Sequence, residues 1–265
     1  NINIKFDQYV VIEDGTFQAC PGYLTGLIGE SGTGKSTLLD ILGLKNYHQQ
    51  FDYDYHQLNL KELSKSELNA LKREAFAYIT QIPEFINTMN CMDNIKLECE
   101  IAHKDFSKEK ISEILSFVGL SQRANAYPSQ LSGGEKQRLA FAMALAKDTD
   151  VLLCDEITSH LDKDYAKIIV ELLSKIAHQY HKIVVITTHE HSVVEMCDTI
   201  YEIKDKKLYP SNELPQKIEA SPIEIPQTKL TTNFYKRIIF SRLKKRKLSY
   251  ILTSIVCLIS VTIMV

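Results

Sequence analysis

Short apolar runs separated by turn residues open the chain: Tyr9-Val10-Val11-Ile12, Tyr23-Leu24 and Leu27-Ile28, interrupted at Asp14-Gly15 and Pro21-Gly22. This pattern predicts antiparallel strands leading into a buried strand that ends near Ile28. A helix starts at Ser36 and runs through Leu42, and 63–74 is helical in period. Phe76-Ala77-Tyr78-Ile79-Thr80 reads as a strand ending at Gln81. From about 88 to 130 the pattern is helical, with Gly119 as a stop and Pro128 as a break. Another helix follows Ser132 through Ala146. Val151-Leu152-Leu153-Cys154 is continuously apolar, as in a parallel strand covered on both faces. A helix near 164–178 and a second such strand over 182–187 continue the alternation.

Beyond 209 the pattern changes. Pro210, Pro215, Pro222 and Pro226 lie among Ser, Glu, Gln and Lys, which predicts a linker over 210–231. In 232–247, Phe234, Tyr235, Ile238, Ile239 and Leu243 recur at helical spacing, with Lys236, Arg237, Arg242 and Lys244-Lys245-Arg246-Lys247 around them. That is the pattern of an amphipathic helix lying on a membrane surface, so lipid is an expected partner. Leu248 to Val265 carries no charge, about 18 residues and near the lower limit for a spanning helix. The basic cluster before it places that side, with everything upstream, in the cytoplasm. The first residue is Asn and the last lies inside this apolar run, so the sequence reads as a fragment of a longer protein.

Composition adds exclusions. A net charge of −2 over 265 residues gives no global pull toward nucleic acid, and none is expected as a partner. Six cysteines without C-x-x-C spacing read as reduced thiols used as small hydrophobes rather than as a disulfide frame or zinc site. No basic segment followed by an apolar run opens the chain, so no cleavable signal is read.

The chemistry begins at Gly29-Glu30-Ser31-Gly32-Thr33-Gly34-Lys35-Ser36, a phosphate-binding loop of the pattern G-x-x-x-x-G-K-[ST] between a strand and a helix. Its glycines let backbone N–H groups surround phosphates, and the helix behind it adds positive potential. Lys35 is expected to reach the β- and γ-phosphates, Ser36 to ligate Mg²⁺, and Thr37 to contact the α-phosphate. Alternating strands and helices around this loop predict an α/β P-loop NTPase on a mainly parallel sheet. An antiparallel β subdomain precedes the core, and a helical insert subdomain covers about 88–146. Asp155 and Glu156 follow an apolar strand directly, where ligands bind in an open α/β sheet. Asp155 fits a Mg²⁺-holding role and Glu156 that of the base polarising the attacking water.

Downstream stands Leu131-Ser132-Gly133-Gly134-Glu135, followed by Gln137-Arg138-Leu139-Ala140. Together with the phosphate loop this resembles the ATP-binding cassette (ABC) family, over about residues 1–205. The resemblance implies ATP and Mg²⁺ as cofactors and a homodimer with nucleotides sandwiched between two cassettes. Within it, Gly29, Ser31, Gly32, Thr33, Gly34, Lys35, Ser36 and Thr37 hold one chain's ATP, while Ser132, Gly133, Gly134 and Glu135 complete the partner's site. Gln81 corresponds to the glutamine that senses Mg²⁺ and water and couples to the membrane domain. Ser159-His160-Leu161-Asp162 resembles the loop that crosses the dimer interface, and Asp162 is its acid. His189 fits the switch histidine contacting the γ-phosphate. For adenine, Phe6 fits the stacking position best, with Tyr9 as the alternative. Two departures stand out: Ile157 where the family usually has Pro, and Met143 where it usually has Arg. His191 beside His189 lacks the cysteine or acid cluster of a metal site.

Tyr127-Pro128-Ser129-Gln130 and Asp93-Asn94-Ile95 look like the lipoprotein-release and macrolide-exporter (MacB-like) group. That subgroup implies a cassette over 1–209 fused to a permease that starts at 248–265, an extracytoplasmic adaptor as a possible partner, and an exporter or mechanotransmission machine in the cell membrane. The rival expectations are a cell-division-type regulator of a wall hydrolase and an ABC ATPase acting on ribosomes or DNA.

Overall fold

The computed structural model describes residues 2–6, 9–45, 52–102, 104, 107–159, 161 and 163–211, with the backbone alone at 2–6, 9, 10 and 14. Strands β1 (Ile2–Phe6) and β2 (Tyr9–Gly15) pair antiparallel, with Phe6 opposite Tyr9. Next come β3 (Leu24–Ile28), α1 (Lys35–Leu42) and a hairpin of two-residue strands, β4 (Asp54–Tyr55) and β5 (Leu58–Asn59). Helix α2 (Lys65–Ala75) starts on a reciprocal Ser64–Glu67 cap and passes directly into β6 (Phe76–Ile79). The helical insert holds α3 (Cys91–Ile101), α4 (Lys108–Phe117) and α5 (Gly133–Lys147). Then follow β7 (Val151–Asp155), α6 (Lys163–Tyr180), β8 (Ile183–Thr188), the short α7 (His191–Val194), β9 (Thr199–Lys204) and β10 (Lys207–Pro210).

The main sheet has the order β10-β9-β3-β8-β7-β6, parallel throughout except for β10. Residue alternation along the strands sorts its two faces. Val151, Leu153 and Val185 pack with Leu39, Leu71 and Phe76 on the side of α1 and α2. Leu152, Cys154, Val184 and Ile186 pack with α5 and α6 residues such as Leu139, Phe141, Ile169 and Leu173 on the other. A smaller cluster of Ile12, Leu27, Leu38, Ile41, Tyr201 and Ile203 joins β2 to the core. In register, Ile28 sits opposite Thr188, Asp155 opposite Thr187 and Ile79 opposite Cys154. The carboxyl ends of four strands therefore converge on one edge, the ligand-binding edge of an open α/β sheet.

Three features differ from the sequence reading. Strands β9 and β10 carry no forecast, because Lys204 to Lys207 is a run of charges that resembles a solvated loop; Asp205 and Lys206 in fact make the turn, with φ of 48° and 61°. Pro210, expected to start the linker, closes β10 opposite Tyr201, on an edge strand where proline's missing donor is tolerated. The helical stretch from 88 to 130 is two separate helices followed by 3₁₀ turns at Ser121–Arg123 and Pro128–Gln130. The rest of the linker, the amphipathic helix at 232–247 and the apolar span at 248–265 lie outside the described residues. Among the described residues no helix is long and apolar enough to cross a membrane; the expected C-terminal membrane helix falls outside them.

Candidate active site

The phosphate loop joins β3 to α1. Gly34 caps α1 with φ 102°, and a Cβ there would run into the Val11 side chain, so β2 lies directly against the loop. A Cβ on Gly29 (φ 154°) would sit 2.9 Å from the Ile203 carbonyl oxygen. Both positions combine positive φ with crowding that only glycine tolerates. The N-terminus of α1 has no side-chain cap and no acid in its first turn. Its unpaired N–H groups and dipole are thus left for an anionic ligand. Lys35 is buried, its Nζ donating to the carbonyls of Gly29 and Glu30 at 2.9 Å each and lying 3.7 Å from Glu156 Oε1. Ser31 and Gly32 stay exposed at the loop's tip, while Thr33 Oγ1 closes the turn on the Glu30 carbonyl at 2.9 Å.

Across the sheet edge, Asp155 Oδ1 accepts from Ser36 Oγ at 3.0 Å and from Thr187 Oγ1 at 2.7 Å. Ser36 and Asp155, both expected at the metal, are thereby placed in direct contact. Among the described residues no group of three or more His, Cys, Asp or Glu could hold a metal. A hydroxyl and a carboxylate beside a phosphate loop fit Mg²⁺, which keeps waters and phosphate oxygens as its other ligands.

Glu156 is left-handed, at φ 45°. For a residue with a Cβ that costs roughly 1–3 kcal/mol and needs its surroundings to hold it. The Glu156 N–H donates to Thr187 Oγ1 at 2.9 Å, and its carbonyl accepts from Ser159 N at 3.2 Å and Ser159 Oγ at 2.8 Å. The kink turns the carboxylate back to Lys35 and to His189, whose Nδ1 is 4.0 Å from Glu156 Oε1. Buried Ile157, standing where the family usually has proline, keeps the turn through packing instead of ring rigidity. Gln81 follows β6, and its Nε2 donates to Ser159 Oγ at 2.7 Å. The chain Gln81–Ser159–Glu156 thus connects two of the expected residues through a serine hydroxyl.

The Ser132 to Glu135 turn stands apart. Ser132 caps α5, with Glu135 N donating to Ser132 Oγ at 3.3 Å and Ser132 N donating to Glu135 Oε2 at 2.9 Å. Arg123 Nε donates to Glu135 Oε1 at 2.7 Å. The Ser132 N–H and the Arg123 guanidinium hold the Glu135 carboxyl down at about 2. Glu135 is therefore committed to its own turn, while Ser132 and Gly133 are exposed. Gly133 borders an open cleft of about 650 Å³ shared with Gln81, Ile82 and Leu161. Among the described residues no hydrogen bond or ion pair joins this turn to residues 29–37.

Asp162 and the side chains of Phe6 and Tyr9 lie outside what the structure describes. Phe6 and Tyr9 flank the tip of the β1–β2 hairpin, whose second strand reaches Gly34 through Val11. The sequence reading missed Thr187, which bonds to both acidic residues; as a threonine ending a β-branched strand it gives no chemical signal. It named Gln137 only within the motif after Glu135 and missed its contact: Nε2 donates to the Ile157 carbonyl at 3.2 Å.

The family model described as ABC transporter matches residues 12–159. The Methionine import ATP-binding protein MetN 1 of Bacillus thuringiensis subsp. konkukian is 35% identical over 243 residues, 91% of this chain and 70% of that protein. Its counterpart in Clostridium tetani is 38% identical over 82% of this chain and 73% of its own length. The dimeric structure of MJ0796, a bacterial ABC transporter cassette, matches with a TM-score of 0.69 at 26% identity, covering 80% of this chain and 96% of that one. A second dimeric structure of that cassette represents a post-hydrolysis state bound to ADP and Pi.

The two MetN relatives are named for import, so the expectation of an exporter of the MacB-like group finds no support among them. The residues behind that expectation have local structural jobs. Buried Asn94 pins the loop before α3 through the Ile86 N–H and the carbonyls of Ile86, Met89 and Asn90. Gln130 Oε1 accepts from Tyr127 N at 2.7 Å to fix the turn before Ser132. Neither job depends on transport direction. The chain belongs to the ABC transporter family, as an ATP-hydrolysing cassette that takes ATP with Mg²⁺.

Proposed function

We propose that the chain is the energising subunit of a membrane ABC transporter, two copies closing face to face on two ATP molecules at the cytoplasmic side. The observation that carries this is the division of the site: phosphate loop, Asp155 and Glu156 gathered on one sheet edge, and an exposed Ser132 turn bonded to none of them. Lys35 leaves the Gly29 and Glu30 carbonyls for the phosphates, with Gly29 to Thr37 supplying N–H donors. Ser36 and Asp155 hold Mg²⁺, which when bound neutralises charge on the phosphates. Glu156 orients water and accepts its proton, with His189 beside it. Gln81 reports this state outward through exposed Ile82 (77% exposed) to a permease segment. Phe6, or Tyr9, stacks on adenine. The relatives' names favour import of a small solute, methionine in their case. Glu156→Gln is expected to lower hydrolysis at least a hundredfold while ATP still binds and holds a dimer; near-wild-type turnover would remove Glu156 from the base role.

A second reading, cassette and permease in one chain, is favoured by the uncharged run 248–265 after the basic cluster at 244–247. On this reading the full chain stays in the membrane pellet after carbonate extraction. Release into the supernatant sinks it and leaves a separate permease.

A further inference from the structure

The Ser132–Gly134 turn has one open side and one filled side. A Cβ on Gly133 would meet nothing within 4 Å. A Cβ on Gly134 would lie 2.8 Å from Cζ and 2.9 Å from Oη of Tyr165, so the ring would have to shift to admit a side chain. Gly134 is helical and has no positive φ that would require glycine, so the local demand for glycine comes from the ring. Tyr165 belongs to the first turn of α6, which packs on β8 and β3 in the sheet domain. The ring therefore reaches from the sheet domain to the end of the helical insert. Arg138, one turn after Gly134 and on the same face of α5, donates through Nη1 to Tyr165 Oη, and its guanidinium lies 5.6 Å from the ring centroid. Between Gly134 and Arg138, Gln137 holds the Ile157 carbonyl. The first turn of α5 is thus tied on both sides of the segment 158–162, next to Glu156.

We propose that Tyr165 is a positioning residue: its ring fills the side-chain space of Gly134 and seats the Ser132–Gly134 turn, open side outward, to receive the phosphate held by a second copy of the chain. The inference rests on the reading that this turn serves the partner's ATP. A seated turn meets its ligand preorganised, so losing the ring weakens closure between copies and not the hold of one copy on its own nucleotide. The ring does the seating, and the hydroxyl adds the Arg138 bond.

The test uses the full chain carrying Glu156→Gln, with and without Tyr165→Ala or Tyr165→Phe. ATP-dependent dimerisation is measured by sedimentation against protein concentration, and binding of a fluorescent ATP analogue is measured on dilute chain. Tyr165→Ala is expected to weaken the dimer about tenfold or more while nucleotide affinity moves less than about twofold, and Tyr165→Phe to retain dimerisation within about threefold. In thermal melts, Gly134→Ala lowers the midpoint by roughly a few degrees when Tyr165 is present, and by clearly less when combined with Tyr165→Ala. If Glu156→Gln alone gives no ATP-dependent dimer, the reading of the turn as a partner's site fails and takes this inference with it. If that dimer forms and Tyr165→Ala leaves it unchanged, or if Gly134→Ala costs the same with and without the ring, the inference alone is overturned.

Discussion

At the scale of single residues, the site depends on a group with no chemistry of its own. Thr187 donates to Asp155 Oδ1 and accepts from the N–H of Glu156, so one buried hydroxyl sets both the Asp155 carboxylate and the left-handed turn of Glu156. Thr187→Val keeps the shape and deletes the hydroxyl. The Glu156 N–H then loses its partner, which costs about 1–3 kcal/mol, and the Glu156 backbone is free to leave a conformation it does not favour. Turnover is expected to fall roughly ten- to a hundredfold, mainly in kcat. Thr187→Ser should restore most of it, since the oxygen returns. A Val variant with turnover within twofold of wild type would show that the strand end holds these acids without the hydroxyl. The sequence hides this residue because threonine is also an ordinary strand former. Lys35 and Ser36 are legible because phosphate chemistry demands those residue types in a short register, and Asp155 because it directly follows a continuous apolar run.

At the scale of elements, legibility followed contiguity. The loop at 29–37 and the turn at 131–135 are each written in one unbroken stretch, and the structure puts each at a helix N-terminus, α1 and α5. The buried parallel strands β7 and β8 were readable from continuous apolar runs, because both faces of the sheet are covered. β9 and β10 were not: a charged turn interrupts them, and three of the four β10 residues are exposed on the sheet edge. Contacts made between distant elements were illegible for a different reason. Tyr165 against Gly134, Gln137 against Ile157 and Ser159 against Gln81 join helices and loops whose relative placement only packing decides. The two hydrogen bonds among them tie α5 and the residue after β6 to the segment that follows Glu156, and such contacts are the part that sequence pattern does not carry.

At the scale of the whole molecule, the proposed division of the site between two chains makes activity a property of pairs. In a two-fold dimer each ATP would lie between the phosphate loop of one chain and the Ser132 turn of the other, so every dimer has two composite sites. A chain with Lys35→Ala loses its own loop but keeps a sound Ser132 turn; a chain with Ser132→Arg has the reverse defect. Each variant alone is expected to be nearly inactive, because both of its composite sites contain a damaged half. In an equimolar mixture, random pairing puts one of each in about half of the dimers, and each such dimer has one intact site. The mixture should therefore recover about a quarter of wild-type ATPase activity, if sites fire independently, from two inactive parents. ATPase assays across a titration of one variant against the other measure this directly, with a maximum at equal amounts. A mixture no more active than its parents would mean either that each chain completes its own site or that both sites must fire together. Sedimentation of the mixed dimer with ATP separates those outcomes: a stable but silent mixed dimer requires coupled firing, and the absence of any ATP-dependent dimer removes the shared site altogether.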